Sequence, residues 1–322
     1  MSQFKVSVIT PIYKTEKDLD KCLNSLVAQT LPEIELIWID NGTNNECREI
    51  IQKYAKKRQG IKVITLKENI GYCGAMNKGL SEATGEYIGF CDSDDYVDSD
   101  YYEKLYQGAA KEKAQVVYCG AILEYENKSV KHELLCPDQE TPSLFDHLRY
   151  GSIWNALFKR DFIQKNNISF SKNKTSIYRD NTFSIPAILA AQKTAIVKDT
   201  FYHYVQHQKS TVSGLNSDII REQTYQTLQE VFSQIKSDNF NESLVKFLFR
   251  TLALHLLDTF PDEMAQLTAT KIWKKWYANT QALLRPTIGQ RLFSISYNPI
   301  KHLFIIRFLG ISFKIKRKEK NS

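Results

Sequence analysis

This sequence has no long apolar run. The first hydrophobic stretch, Val6 to Ile12, is too short for the core of a secretion signal. The one near the C-terminus, around Leu303 to Phe308, falls well below the ~20 apolar residues that a membrane-spanning helix needs. The expectation is a chain that stays in the cytoplasm. Cysteines are few and scattered: Cys22, Cys47, Cys73, Cys91, Cys119 and Cys136 show none of the paired spacings of a zinc site or a disulfide framework. Several lie inside apolar stretches and read as small buried hydrophobes in a reducing compartment. Nor does the body of the chain carry an excess of one charge. Beyond residue 300 lie Lys301, Arg307, Lys314, Lys316, Arg317, Lys318 and Lys320 against Glu319 alone, so nearly all of the formal +7 belongs to the tail. No nucleic-acid partner is expected. What remains is the composition of a globular protein, 43% hydrophobic and 25% charged over 322 residues, long enough for a main domain and a smaller C-terminal one.

Apolar periodicity alternates between strand and helix through the first 120 residues. Strands are predicted at Lys5 to Thr10, ended by Pro11, at Ile34 to Asp40, at Lys62 to Leu66 and at Tyr87 to Cys91. Between them, helices are predicted over Glu16 to Gln29, Asn44 to Lys57 and a stretch opened by Asn69 to Gly74 and running to about Ala83. Strands separated by such helices argue for parallel βαβ units and an α/β, doubly wound, mostly parallel sheet. The C-terminal ends of parallel strands share one edge, which gathers Pro11 to Tyr13, Asp40 and Asp92 to Asp95 into one cleft. Further on, the pattern predicts a helix near Asp100 to Lys113, a strand at Gln115 to Cys119, a hairpin or loop over Ile122 to Thr141 and a short helix at Leu144 to Tyr150. A strand at Trp154 to Lys159, helices at Arg160 to Asn166 and Asn181 to Gln192, a strand at Ala195 to Lys198 and an aromatic segment Phe201 to Tyr204 follow. After Gly214 the chain reads as helical, with periodicity across Ile219 to Ile235, Leu244 to Phe260 and Met264 to Leu284.

The chain is organised around Tyr87 to Asp95, where an apolar strand runs into Asp92, Ser93, Asp94 and Asp95. In an extended segment Asp92 and Asp94 point the same way and Ser93 the other. Two carboxylates so close either take up a proton or attract a hard cation such as Mg²⁺ or Mn²⁺, which binds one or two carboxylates together with phosphate oxygens. Taken alone, the cluster reads equally well as a solvated turn that caps the next helix.

Four features in order carry a resemblance: the first strand with Pro11-Ile12-Tyr13, Asp40 ending the second, Asn69-Ile70-Gly71 before a helix holding Asn77 and Gly79, and Asp92-Ser93-Asp94-Asp95. Together they resemble the family 2 glycosyltransferases, strongly over residues 4 to about 120, more loosely through Trp154-Asn155, Arg179-Asp180 and Tyr202 to Ser213. The resemblance implies a glycosyltransferase A-type fold and an inverting, metal-dependent enzyme using Mn²⁺ or Mg²⁺. It implies that Asp40 meets the nucleotide base, that Pro11, Tyr13, Asn69 and Ser93 line the nucleotide pocket, and that Asp92 and Asp94 hold the sugar-ribose side and the metal. Asp94, with Asp92 and His207, is implied as the metal site, His203 being a second candidate beside His207. Asp180 is implied as the general base, but Arg179 stands where the family usually carries an acid. Trp154 reads either as a stacking platform for an acceptor sugar or as a core residue, and Asp180 as base or as helix cap.

The expected function is transfer of a sugar, with inversion, from a nucleoside diphosphate sugar such as a UDP-sugar to a glycan or lipid-linked oligosaccharide acceptor in bacterial surface polysaccharide synthesis. The competing expectation is a non-catalytic nucleotide-sugar-binding scaffold or partner subunit of the same fold, which Arg179 favours; a nucleotidyltransferase is a third. The expected organisation is a catalytic domain over 1–214, split into a nucleotide half (1–120) and an acceptor half (121–214), then a helical region to 299 and a basic amphipathic tail over 300–322. That tail suits peripheral contact with the inner face of the plasma membrane, and reads equally as a last core helix or strand with a charged end.

Overall fold

The structure, a computed structural model, describes residues 3–125, 128–132, 152–172, 179–207, positions 226, 227, 230, 231 and 234, and 293–298, 303–308 and 311–316. The chain forms two compact units, Met1–Leu248 and Phe249–Ser322.

The first unit is built on a nine-stranded mixed sheet. Its N-terminal half consists of β1 (Val6–Ile12), β2 (Ile34–Asp40), β3 (Ile61–Thr65) and β4 (Tyr87–Phe90), ordered β3-β2-β1-β4 and all parallel. Strands β1, β2 and β4 are buried along their whole length, as expected of strands covered on both faces. The connecting helices α1 (Glu16–Val27), α2 (Asn45–Tyr54) and α3 (Tyr72–Glu82) each turn one apolar face to the sheet, α1 through Leu19, Cys22, Leu23 and Leu26. The chain winds outward from β1 to β3 and returns to β4 on the other side of β1. The crevice between the C-terminal ends of β1 and β4 is therefore the switch point where open α/β sheets bind ligands.

Strand β1 continues through Pro11, where a sequence reading ends it. Its Ile9 carbonyl accepts from Cys91 N–H on the β4 side, and so Pro11, two residues on, faces the same side beyond the last paired residue of β4. The missing N–H thus costs no ladder bond. Helix α3 lies close against β1: a Cβ added at Gly79 would run into Ile9 Cγ2.

The second half of the sheet introduces the antiparallel pairings. A two-residue β5 (Tyr96–Val97), too short to show in the sequence, leads to helix α4 (Tyr101–Glu112) and to β6 (Val116–Tyr125), which pairs with β7 (Lys128–His132) as a hairpin. β8 (Ala156–Lys159) lies antiparallel between β4 and β6, followed by α5 (Arg160–Lys165) and α6 (Asn181–Ala190). β9 (Thr194–Val205) unites the two segments read separately from the sequence; its register on β6 jumps from Val197 to Phe201. Pro186 inside α6 leaves the Thr182 carbonyl without its helical donor, and Gln234 Nε2 supplies one at 2.9 Å. The helix expected at Leu144 to Tyr150 lies outside the described residues, as do most of those expected after 214.

In the second unit, β10 (Phe293–Asn298), β11 (Leu303–Phe308) and β12 (Ile311–Lys316) form an antiparallel sheet in that order. β10 corrects the helical reading of residues up to 299. Phe293, Ile295 and Tyr297 alternate with Ser294, Ser296 and Asn298, a period of two and not of 3.6. No helix among the described residues is long and apolar enough to cross a membrane.

Candidate active site

Each candidate residue is delivered to the β1/β4 crevice by a strand end or a helix start. After β1, Tyr13 is 39% exposed, and Lys14 takes a left-handed φ of 54° while its N–H donates to Thr43 Oγ1 at 2.9 Å. A hydrogen bond from Asn69, reinforced by Lys14, lowers the Tyr13 pKa. Tyr13 and Asn69 therefore border the same opening, with an accessible ring face for a flat ligand.

The loop carrying Asn69 is clamped by Asn41. The Asn41 amide donates to Asn69 Oδ1 (3.2 Å) and to the Gly71 carbonyl (3.3 Å), and its Oδ1 accepts from Ile70 N–H (3.0 Å). Gly42 is required for this contact: its φ is +67°, and a Cβ would lie 2.6 Å from the Glu68 carbonyl carbon. Asp40 is 1% exposed and turned toward its own loop. Its Oδ1 accepts from Thr43 N–H and its Oδ2 from Arg48 Nε, both at 2.9 Å.

The acidic cluster divides by orientation. Asp95, 2% exposed, turns inward, where Oδ2 accepts from the Tyr202 hydroxyl (2.8 Å) and Oδ1 from Val205 N–H (2.8 Å). Ser93 is buried too, its hydroxyl accepting from Thr15 Oγ1 at 3.0 Å. Asp92 and Asp94 are left partly exposed. Asp92 Oδ1 accepts from the Tyr72 hydroxyl at 3.0 Å. Burial pushes the Asp92 carboxyl far up, with Asp180 and Asp94 adding to the shift, and burial also raises Asp94. His207 Nε2 lies 3.6 Å from Asp94 Oδ2 and 3.7 Å from Asp18 Oδ2.

Among the described residues, no three carboxylate, imidazole or thiolate side chains are grouped as a closed metal site. The donor set nevertheless fits a hard dication shared with a diphosphate: Asp92 and Asp94 supply oxygens, and their crowded charge is what such an ion relieves.

Asp180 stands immediately before α6, yet its carboxylate makes no capping bond. It acts on Tyr72 and Asp92 across the crevice instead. Burial raises its pKa to about 6, while Arg179 and a hydrogen bond from Tyr72 oppose the rise. The Arg179 guanidinium lies over the Tyr72 ring, 4.6 Å from its centroid.

Two sequence candidates are engaged elsewhere. His203 Nε2 and Nδ1 face Asp98 Oδ1 (2.9 Å) and Glu124 Oε1 (3.1 Å), with the ring stacked on Tyr96. Trp154 stacks on Tyr202 and Tyr204, at 4.6 and 5.3 Å between ring centroids. Asn77 serves the frame: its amide donates to the Phe170 carbonyl (3.1 Å) and its Oδ1 accepts from Phe170 N–H (3.0 Å), fastening α3 to the segment that leads to Asp180. Sequence reasoning missed Tyr72 and Asp18, neither of which carries a local signature, and named Tyr202 only within an aromatic segment and a stretch of looser resemblance, without a role.

The chain matches glycosyl transferase family 2 over residues 7–180. It is 31% identical over 246 residues to the cholesterol galactosyltransferase of Borreliella burgdorferi, covering 70% of this chain and 68% of that one. It is 30% identical over 218 residues to the uncharacterized glycosyltransferase EpsJ of Bacillus subtilis, covering 64% of this chain and 62% of EpsJ. The chain thus spans about three-fifths of the length of that relative. The fold superposes on the crystal structure of Staphylococcus aureus TarS residues 1–349 in complex with UDP-GlcNAc, with a TM-score of 0.68 at 21% identity, covering 87% of this chain and 80% of that one.

Proposed function

This chain belongs to glycosyl transferase family 2, and from that premise we propose that it transfers a sugar, with inversion, from a UDP-sugar to a glycan or lipid-linked acceptor. The observation that carries the reading is the Asp180 carboxylate, free of any capping bond and facing Asp92 across the crevice. The relatives support a sugar nucleotide as donor. TarS was crystallised in complex with UDP-GlcNAc and is named a poly(ribitol-phosphate) β-N-acetylglucosaminyltransferase.

In this reading the exposed ring of Tyr13 stacks on the base, beside Pro11 and Asn69. Asp40, implied by the resemblance to meet the base, is buried with both oxygens engaged by Thr43 and Arg48, and would reach the base's ring N–H only if the Asn41-Gly42 loop shifts on binding. Asp92 holds the sugar-ribose side, and Ser93 supports that turn from beneath through Thr15. Asp94 and Asp92, with His207, would hold Mn²⁺ or Mg²⁺, which when bound supplies positive charge to the departing diphosphate. Asp180 takes the proton of the acceptor hydroxyl as its oxygen forms the new bond to the anomeric carbon. The bond from that carbon to the diphosphate breaks on the opposite face, and UDP leaves. A pKa raised despite the adjacent Arg179 keeps Asp180 basic enough for this task, which speaks against a scaffold that only binds. The basic segment over 300–322, which contains β11 and β12, would bring the enzyme to an anionic membrane surface where lipid-linked acceptors reside; replacing Arg317, Lys318 and Lys320 beyond β12 with Gln should lower the membrane-bound fraction.

The test is release of UDP from a panel of UDP-sugars with Mn²⁺, with and without Asp180→Asn. Turnover by the native chain and its loss in the variant, with UDP binding retained, is the expected result. Equal release by both would overturn the assignment of Asp180.

A further inference from the structure

We propose that Tyr72 is a positioning residue that ties the donor-side carboxylate Asp92 to the acceptor-side carboxylate Asp180, with Arg179 stacked on its ring as the cation that holds the two acids together. The proposal rests on the glycosyltransferase reading for the roles of Asp92 and Asp180. It goes beyond that reading by giving work to Tyr72 and to an arginine found where an acid is expected.

The geometry begins at Gly71, whose φ of 82° turns the chain into α3 and makes Tyr72 the first helical residue. Tyr72 is thereby delivered to the crevice on a rigid element. Its hydroxyl donates to Asp92 Oδ1 at 3.0 Å, while its ring seats the guanidinium of Arg179, the residue next to Asp180. A phenol has one proton to give and Asp92 takes it, while Asp180 acts on both Tyr72 and Asp92 through its charge. Two carboxylates in such proximity repel. The opposing charge is at hand: Arg179 lies 4.6 Å from the Tyr72 ring centroid and acts on both Asp92 and Asp180. Among the described residues no carboxylate forms an ion pair with its guanidinium. A planar guanidinium suits the face of a phenol ring, and a lysine would not reproduce that stacking.

The ring is fixed from behind as well. Tyr72 meets Phe170 edge-on (centroids 6.4 Å apart, 84° between planes), and Phe170 stacks on Phe183 of α6 (4.7 Å, 13°). Asn77, on the same helix as Tyr72, holds the Phe170 backbone through two hydrogen bonds. One helix thus carries both the tie between the acids and the clamp on the segment leading to the base. The spacing between leaving-group side and acceptor side is set by α3.

The experiment compares Tyr72→Phe, which keeps the ring and its stacking, with Tyr72→Leu, which removes both. Tyr72→Phe should lower kcat about tenfold, the worth of one hydrogen bond to a charged group, while the KM for the UDP-sugar and the affinity for UDP with Mn²⁺ stay within about twofold of the native values. Tyr72→Leu should cost more, because Arg179 loses its platform. Double-mutant cycles in urea should show Tyr72→Phe non-additive with both Asp92→Asn and Asp180→Asn. A native kcat in Tyr72→Phe, or strictly additive cycles, would overturn the proposal. The cycles need no turnover, so they decide on the tie even if no UDP-sugar is consumed, an outcome that would count against the glycosyltransferase reading alone.

Discussion

The Tyr202 hydroxyl donates to Asp95 Oδ2 at 2.8 Å while accepting from the backbone N–H of Asp92 at 3.0 Å. One side chain from β9 thus closes the acidic loop on itself. It satisfies the buried third acid and fixes the backbone of the first. The two outer acids can then be presented to a ligand without the loop collapsing onto its own charges.

Tyr202→Phe should leave one buried acceptor and one backbone N–H without partners. The expected loss of stability is about 1–3 kcal/mol, measured by urea unfolding. Loosening of the Asp92 backbone should also raise the KM for the UDP-sugar. A variant as stable as the native chain would show that water replaces the hydroxyl at no cost.

Asp180 must be ionised to accept a proton, and in the unliganded crevice burial raises its pKa to about 6. The acid limb of kcat/KM should therefore lie near pH 6, above the usual carboxylate range, with activity falling as pH drops through that value. Arg179 opposes the rise, so Arg179→Ala should move the limb to higher pH. A limb left in place by that substitution would separate Arg179 from the base.

Asp94→Ala should cost turnover on the order of a hundredfold or more, because it removes the least encumbered oxygen donor for the cation at the diphosphate. The companion measurement is Mn²⁺ binding by electron paramagnetic resonance in the presence of UDP. Binding equal to that of the native chain would remove Asp94 from the metal site.

The parallel half of the sheet was legible because its physics is local. Fully buried strands read as continuous apolar runs, and the helices between them show one apolar face each. The turn at Asn41-Gly42 and the acids after β4 were legible for the same reason. The fate of each acid was not. Alternation along a strand suggests how Asp92, Ser93 and Asp94 point, but Asp95 is claimed by Tyr202 and Val205, residues far along the chain. Tyr72 was invisible for a similar reason: nothing near it in sequence announces the arginine over its ring or the acids at its hydroxyl. β10 was missed by carrying a helical reading past the point where the apolar period changes.

Gly79→Ala tests how tightly α3 is set against β1. The added methyl would meet Ile9, whose Cγ1 lies 3.1 Å from its position and which is wholly buried. A β-branched side chain in a strand has little rotamer freedom with which to yield. The expected cost is about 1–3 kcal/mol in urea unfolding, with a loss of kcat as α3 carries Tyr72 and Asn77 out of place.

His203 provides the pH dependence of stability. Both of its ring nitrogens face carboxylates, Asp98 Oδ1 at 2.9 Å and Glu124 Oε1 at 3.1 Å, an arrangement that both can satisfy only as donors in the imidazolium form. Burial alone would lower its pKa, but the hydrogen bonds and charges of Asp98 and Glu124 outweigh it, and the folded-state value is raised. The other neighbours act less directly: Tyr96 stacks on the ring and donates to Glu124, Lys21 lies over the Tyr96 ring, and Lys104 acts on Asp98. A group whose pKa is higher folded than unfolded gives its full stabilisation below the unfolded value, about 6.5 for histidine, and loses it as pH rises through the folded value. The gap in unfolding midpoint between the native chain and His203→Gln should therefore be widest near pH 6 and narrow steadily toward pH 9. A gap that stays constant over that range would mean that the imidazole is neutral between the two acids, held by one hydrogen bond and by stacking, and that β5 owes nothing to its charge.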